Sequence, residues 1–239
     1  MSIENLTIGG TQVEVHRKKI KNLHVGVYPP DGRIRVAAPD SISTDAIMTA
    51  VLTRMDWIRR RQSRFHSQER QSVRRYVSGE THYFLGRPLR LTVTECDTKV
   101  HRISIEGRDR LHLSVPADST PENRRKWIRN WRRAQLRELA APYAETWAST
   151  LKVAPTFWGI REMRTKWGSC NPKTGRVWLN LELSKKPVEA INYVVLHELA
   201  HLISPRHDER FIATLDAHMP RWRQIRSELN ALPLSSWSE

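Results

Sequence analysis

Two histidines and a glutamate in the last quarter of the chain have the residue types and the spacing of a catalytic metal site. His197 and His201 are four residues apart in the sequence His-Glu-Leu-Ala-His. On an α-helix such residues share one face about one turn apart, so both imidazoles can bind one metal ion. Glu198 lies beside them and can take a proton from a zinc-bound water. The motif therefore predicts metal-assisted hydrolysis with Glu198 as the general base.

His207 is the predicted third ligand. The pair Ser204-Pro205 should end the helix, and a chain that turns back there can bring His207 to the same ion. Three protein ligands leave one position for water, which is the arrangement of a catalytic zinc. We expect one Zn²⁺ per chain, held by His197, His201 and His207. The alternative is that these are ordinary helix histidines.

Four other polar residues near the motif each allow two interpretations. Cys170 can be a fourth ligand, although a small buried residue is the favoured reading. Tyr193 can donate a hydrogen bond to a transition-state oxygen, or it can simply pack. Asn180 can orient a substrate backbone or cap a turn. His218 can stabilise an oxyanion, but an ordinary histidine at a helix end is favoured.

The elements around the motif should form a small core. Pro187 can begin the metal helix, whose apolar stripe comprises Val188, Ile191, Val195, Leu199 and Leu202. The pattern predicts a strand over residues 156–161 and a hairpin over residues 167–180. This hairpin would form the wall of the metal site that faces the substrate. The predicted substrate-binding residues are therefore Trp167, Gly168, Ser169, Asn180 and Tyr193.

The first half of the chain is predicted to be rich in strands. Residues 33–39 (RIRVAAP) match residues 110–116 (RLHLSVP), and each stretch precedes a capped helix, near Ser43 or Thr44 and near Thr120. This suggests two copies of a strands-then-helix unit, with helices over 44–66 and 121–151. We predict an α+β fold with a β-rich region over 1–118 and a catalytic core over 119–239.

Composition limits the compartment and the partners. The chain contains no run of about 18 apolar residues, and its start, MSIENLTIGG, lacks the pattern of a signal peptide. Two cysteines do not make a disulfide framework, so a cytoplasmic protein with no membrane contact is expected. The net charge of +15 favours nucleic acid, nucleotides or acidic proteins as partners, or is simply a solvated surface. The oligomeric state stays open.

A basic stripe is predicted on the helix that begins at Pro121. It consists of arginines spaced by four: Arg125, Arg129, Arg133 and Arg137. Such a stripe can follow a phosphate backbone, but like charges at this spacing are usually tolerated only in water. We favour a solvated face.

Three motifs together resemble the YgjP-like metallopeptidase-domain family, which is related to SprT-like zinc proteases. They are RTKWGSC at 164–170, VWLN at 177–180 and YVVLHELAHL at 193–202, and the resemblance extends to the first half around 30–39. It implies a small gluzincin-type core, zinc ligands at His197, His201 and His207, and a general base at Glu198.

Our main hypothesis is a zinc-dependent metallopeptidase acting on a peptide or protein. The alternative is a metal-dependent nucleotide pyrophosphohydrolase, because the same water could attack a phosphoanhydride while arginines hold the phosphates. A third hypothesis is a non-catalytic DNA-binding module with a structural zinc. The presence of Glu198 and the lack of a clear fourth ligand argue against the third.

Overall fold

The computed structural model describes residues 2–28, 32–67, 74–97 and 99–231. Within these ranges the chain is α+β, with eleven strands in three sheets and six α-helices. This confirms the predicted fold class. The described residues form two compact units, one up to residue 67 and the other from residue 74 onward. The sequence Pro30-Asp31-Gly32 predicts a turn between two strands, and its first two residues lie outside the described residues.

The first unit is a four-stranded sheet with two helices. Its elements are β1 (Ser2–Ile8), β2 (Thr11–Lys18), β3 (His24–Tyr28), β4 (Arg33–Pro39), α1 (Thr44–Leu52) and α2 (Met55–Ser67). The sheet order is β1-β2-β4-β3, with β2 and β4 parallel. Alternate strand residues such as Val15 and Val36 are buried with Ile47 and Ile58 from the helices. This is the core expected for strands that alternate apolar and polar residues.

One helix was predicted over 44–66, and the structure contains two. The Ser43 hydroxyl accepts from Ala46 N and caps α1, as expected. At the break, Arg54 N donates to Val51 O, three residues back, and the Thr53 hydroxyl donates to Thr49 O. These bonds tighten and end the first helix. No proline or glycine marks the position, so the pattern of residues did not reveal it.

The second unit begins with a sheet of the same strand order. Its elements are β5 (Thr81–Phe84), β6 (Arg87–Cys96), β7 (Arg102–Glu106) and β8 (Arg110–Pro116), followed by the helix α3 (Pro121–Leu151). The order is β5-β6-β8-β7, and β6 and β8 are parallel, as β2 and β4 are in the first sheet. In both sheets the first hairpin turns through two residues with positive φ, Gly9-Gly10 and Leu85-Gly86.

The rest of the second unit positions the metal motif. It contains β9 (Phe157–Arg161), β10 (Gly168–Asn171), β11 (Arg176–Asn180), a 3-10 helix (Leu181–Lys185), α4 (Val188–Ala200), α5 (Glu209–His218) and α6 (Trp222–Ala231). The sheet order is β10-β11-β9, so β10 is an edge strand, and β10 and β11 form the predicted hairpin. Leu136 and Ala140 of α3 are buried with Ile191 and Leu199 of α4 in one core.

The predicted boundary at 118/119 falls inside the second unit. The turn between β5 and β6 is fixed to the 3-10 helix, because Leu85 N donates to Ser184 O and Gly86 N donates to Lys185 O. Ile128 of α3 is buried against the same sheet. The second sheet is therefore built into the unit that carries the metal motif. Among the described helices, none is both long enough and apolar enough to cross a membrane.

Candidate metal centre and substrate cleft

The metal motif lies at the end of α4, and the loop after it returns the third histidine. His197 is in the last turn of α4 and His201 is the residue that caps its C-terminus. The Ser204 hydroxyl donates to Asp208, whose carboxylate also accepts from Phe211 N and caps α5. These bonds fix both ends of the short loop that carries His207.

The three histidines converge on one point. One ring nitrogen from each of His197, His201 and His207 lies within 4.8 Å of the other two. The Nε2 atoms of His197 and His207 are 3.2 Å apart. Two nitrogens bound to one tetrahedral zinc at its usual bond length lie about 3.3 Å apart. The donor set and this spacing fit a divalent ion such as zinc, for which imidazole is a preferred ligand.

Neighbouring groups orient the imidazoles. His201 Nδ1 lies 3.2 Å from Ser204 O, so a proton on Nδ1 leaves Nε2 free to bind a metal. The Tyr193 hydroxyl lies 3.3 Å from Nδ1 of His197. The ring of Phe211 packs against all three imidazoles, with centroid distances of 4.7 to 5.0 Å. The rings are thus held in place by hydrogen bonds and packing.

The electrostatic environment keeps His197 and His201 neutral. Burial, helped by the two other histidines, lowers the pKa of His197 to about 3. Burial also lowers the pKa of His201. A neutral imidazole has the lone pair that a metal requires, so little proton release would oppose metal binding near neutral pH.

Glu198 is buried beside the cluster and packs against a glycine. Its side chain is 6% exposed, and burial raises its pKa to about 8, which Lys166 partly opposes. A Cβ atom placed on Gly168 would lie 2.5 Å from Glu198 Oε1 and 2.6 Å from its Cγ. Only a residue without a side chain at position 168 leaves room for the carboxylate in this position.

A cleft of about 480 Å³ opens beside Glu198 and the histidines. Four of the predicted substrate-binding residues line it: Trp167, Gly168, Ser169 and Tyr193. Cys170 also lines the cleft, but its sulfur does not belong to the cluster of ligand atoms, and burial raises its pKa to about 11. This environment disfavours the thiolate that binds metals.

Asn180, the fifth predicted substrate residue, has a different environment. Its side chain is 0% exposed and does not line the cleft. Its amide nitrogen donates to Met163 O at 2.8 Å and to Lys166 O at 2.7 Å, and its amide oxygen accepts from Met163 N and Glu182 N. All of its polar atoms are therefore engaged within the chain, and it holds the loop before β10 in place.

Several site residues were missed by the sequence interpretation. Lys166 and Arg226 line the cleft, and Phe211 lies beneath the imidazoles. Phe211 follows His207 by four residues, and this spacing could have suggested that the two rings touch at the start of a helix. Arg226 carries no such signal, because only the packing of α6 brings it to the cleft. His218 contacts the edge of Trp147 and does not line the cleft.

The stripe on α3 is partly engaged in contacts of its own. Arg129 lies 3.9 Å from a carboxylate oxygen of Glu162, and the guanidinium of Arg137 lies over the ring of Trp158 at 5.0 Å. The side chain of Arg133 donates to Asn130. These contacts support the interpretation of a solvated helix face with local partners.

Comparison with known proteins identified one family, and the solved structures that resemble part of this chain include two metallopeptidase zymogens. The YgjP-like metallopeptidase domain matches residues 21–232. The metallopeptidase zymogen of Pyrococcus abyssi abylysin is 21% identical with a TM-score of 0.36, covering 38% of this chain and 90% of that one. The metallopeptidase zymogen of Methanocaldococcus jannaschii jannalysin is 22% identical with a TM-score of 0.34, covering 38% and 86%. No curated protein was found to match.

Proposed function

Because the chain belongs to the YgjP-like metallopeptidase-domain family, we propose that it is a zinc-dependent peptidase with Glu198 as its general base. One observation carries this proposal: three imidazole nitrogens converge beside a buried carboxylate at the wall of a cleft. His197, His201 and His207 would hold the ion. When bound, zinc acts as a Lewis acid, which polarises the scissile carbonyl and lowers the pKa of the water bound to it.

The substrate would bind along the edge of β10. Gly168, Ser169 and Cys170 of this edge strand line the cleft, so an extended peptide can pair with their backbone groups. Such pairing would hold the scissile carbonyl in one orientation. Trp167 extends the same wall, and its indole nitrogen donates to Asn230 of α6, which lies on the cleft as well.

Proton transfer would be carried out by Glu198. Its carboxylate would accept a proton from the attacking water and later donate it to the leaving amine nitrogen. The Tyr193 hydroxyl is already near His197 and lines the cleft, so it can donate a hydrogen bond to the oxygen that gains negative charge. Burial raises the pKa of Tyr193 to about 12, which keeps this hydroxyl protonated.

The direct test compares Glu198→Gln with a matched control. Glu189→Gln makes the same change at an exposed residue in the first turn of the same helix. We expect the zinc-loaded wild type and Glu189→Gln to cleave an unfolded protein, and Glu198→Gln to lose at least about a hundredfold in rate. Full activity of Glu198→Gln would show that the general base is misassigned.

Nucleotide hydrolysis is the second candidate, and one observation favours it. Lys166 and Arg226 line the cleft and could hold phosphate oxygens. Nucleoside triphosphates therefore belong in the same assay. Their hydrolysis, lost in Glu198→Gln while unfolded protein stays intact, would replace the peptidase proposal with the pyrophosphohydrolase.

We further propose a peptide or protein substrate, an accessory affinity for nucleic acid and a cytoplasmic site of action. Family membership supports the first, and the net charge of +15 supports the second. Cys96 and Cys170 are present as thiols, which supports a reducing compartment.

A further inference from the structure

Two cations at the cleft have no acidic partner. Lys166 precedes β10 and Arg226 is in α6, and both side chains are exposed and line the cleft. Among the described residues, neither has a carboxylate oxygen within the 4.0 Å that defines an ion pair. Arg223, one turn earlier in α6, is instead paired with Asp216. The charges at the cleft are therefore available to a ligand.

Both cations extend from a backbone that is held in place. The carbonyl of Lys166 accepts from the buried Asn180 amide at 2.7 Å. Arg226 follows the buried Ile225 in a helix that is anchored through Trp222, whose ring stacks on Tyr193 and donates to Asp216. The cationic groups can move on their side chains, but their attachment points on the cleft wall are fixed.

The cleft lacks acidic groups that would neutralise them. Among the described residues that line it, Glu198 is the single carboxylate, and it is buried beside the histidines. The charge of Arg226 acts on His197, and that of Lys166 acts on Glu198 and His201. An anionic group on a ligand bound next to the metal centre would therefore meet a positive potential.

We propose that Lys166 and Arg226 select peptides with an aspartate or glutamate side chain close to the scissile bond. This inference rests on the peptidase function proposed above. Both cations can pair with a carboxylate, and the guanidinium of Arg226 can do so with two hydrogen bonds. A lysine or arginine at the same place in the peptide would be repelled, so the cleft discriminates by attraction and by repulsion together.

The test uses short peptides that differ at one residue beside the cleaved bond, which is aspartate, asparagine or lysine. We expect the zinc-loaded wild type to favour aspartate over asparagine by about threefold to tenfold in kcat/KM. The preference should shrink between about 0.05 M and about 0.5 M salt. Arg226→Ala should reduce it, and Arg226→Glu should shift it toward lysine. Arg221→Ala, an exposed arginine that does not line the cleft, is the matched control.

Peptide binding to the Glu198→Gln variant tests this inference independently of the peptidase function. Fluorescence anisotropy of labelled, uncleaved peptides should show the same order, aspartate above asparagine above lysine, and Arg226→Glu in that background should invert it. If no peptide is cleaved but this order holds, the peptidase function fails and the anion site stands. Equal cleavage and equal binding of all three peptides would overturn the inference. Binding of nucleoside triphosphates that depends on Arg226, without any preference among peptides, would overturn it in favour of phosphate.

Discussion

The side chain of Glu198 fits in its observed position because residue 168 has no side chain. Gly168 was predicted to touch substrate, and it does line the cleft, but the structure shows a second property. Its Cα faces the Glu198 carboxylate so closely that a methyl group would overlap it. The glycine is thus a positioning residue, which would act on the proposed chemistry through Glu198.

Gly168→Ala should therefore reduce activity while leaving the metal bound. A base displaced by about 1 Å can lose about a hundredfold in rate, so we expect a drop of that order in kcat, with zinc content and circular dichroism unchanged. The double variant Gly168→Ala with Glu198→Gln should be no slower than Glu198→Gln alone, since the glycine acts through the glutamate. Additive losses would show that Gly168 has a separate role.

At the scale of single residues, the sequence predicted which histidines come together better than it predicted the groups that hold the site in place. The spacing of His197 and His201 follows from helix geometry alone, so it could be read directly. The contact between Gly168 and Glu198 joins residues 30 positions apart. It depends on how β10 packs against α4, which no local pattern encodes.

Asn180 shows how an element can depend on one buried side chain. The loop before β10 carries Met163 and Lys166, and their backbone groups bond to the Asn180 amide. The same amide oxygen caps the 3-10 helix by accepting from Glu182 N. The side chain therefore joins the strand, the loop and the approach to the metal helix.

Asn180→Asp should destabilise the fold about as much as Asn180→Ala. A carboxylate keeps the size of the side chain but cannot donate to Met163 O and Lys166 O. Leaving these buried acceptors unpaired should lower the free energy of unfolding by about 3 kcal/mol in either variant, measured by urea denaturation. Asn171→Ala, an exposed turn residue, is the control and should cost less than about 1 kcal/mol. Unchanged stability with a raised KM would instead identify Asn180 as a substrate ligand.

A buried polar pair connects the second sheet to α3. The guanidinium of Arg132 approaches His82 Nδ1 at 3.3 Å, and His82 Nε2 lies 3.3 Å from a carboxylate oxygen of Glu80. The ring of Tyr76 lies next to His82. Burial, and then the charge of Arg132, lower the pKa of His82 to about 3. The folded protein therefore holds this histidine neutral, accepting a hydrogen bond at Nδ1.

His82→Gln should flatten the dependence of stability on pH. The unfolded chain binds a proton on His82 near pH 6.5, whereas the folded chain does so only near pH 3. Stability is therefore lost as the pH falls below about 6.5, by about 3 kcal/mol down to about pH 4.5. Glutamine does not titrate, so this part of the loss should vanish from urea unfolding curves. His24→Gln, at an exposed histidine, should retain it; parallel curves for all three proteins would contradict the assignment.

At the scale of elements, the sequence predicted most helices and strands but not the links between them. The match between 33–39 and 110–116 falls on β4 and β8, which have nearly the same burial pattern and the same place in their sheets. Alternation and capping residues reveal such elements locally. The bonds that join the β5–β6 turn to the 3-10 helix are long-range, so the predicted boundary at 118/119 separates residues that pack together in the structure.

The charge of the whole molecule should produce a general attraction to polyanions. With a net charge of +15, we expect the protein to bind DNA of any sequence at low salt. The affinity should fall at least about tenfold between about 50 mM and about 200 mM salt, measured by fluorescence anisotropy with two unrelated duplexes. An affinity that does not change with salt, or that differs between the two duplexes, would indicate a specific nucleic-acid site instead.

The candidate metal centre and the cleft beside it lie within a single compact unit. The three histidines, Glu198 and the residues of the cleft all belong to the part of the chain from residue 74 onward. Composition leads to the expectation that the whole chain has an affinity for polyanions. It could not predict which cations face the cleft, since that depends on the packing of α6.

Metal content is the measurement that tests the central claim most directly. The claim is that His197, His201 and His207 hold one zinc ion. Mass spectrometry of the purified protein should find about one zinc per chain in the wild type and in Glu198→Gln. His207→Ala, at an exposed loop residue, should lose most of the metal, whereas Arg206→Ala, its exposed neighbour, should keep it. A wild type that binds no metal when zinc is supplied, or a His207→Ala variant that retains full occupancy, would contradict the account.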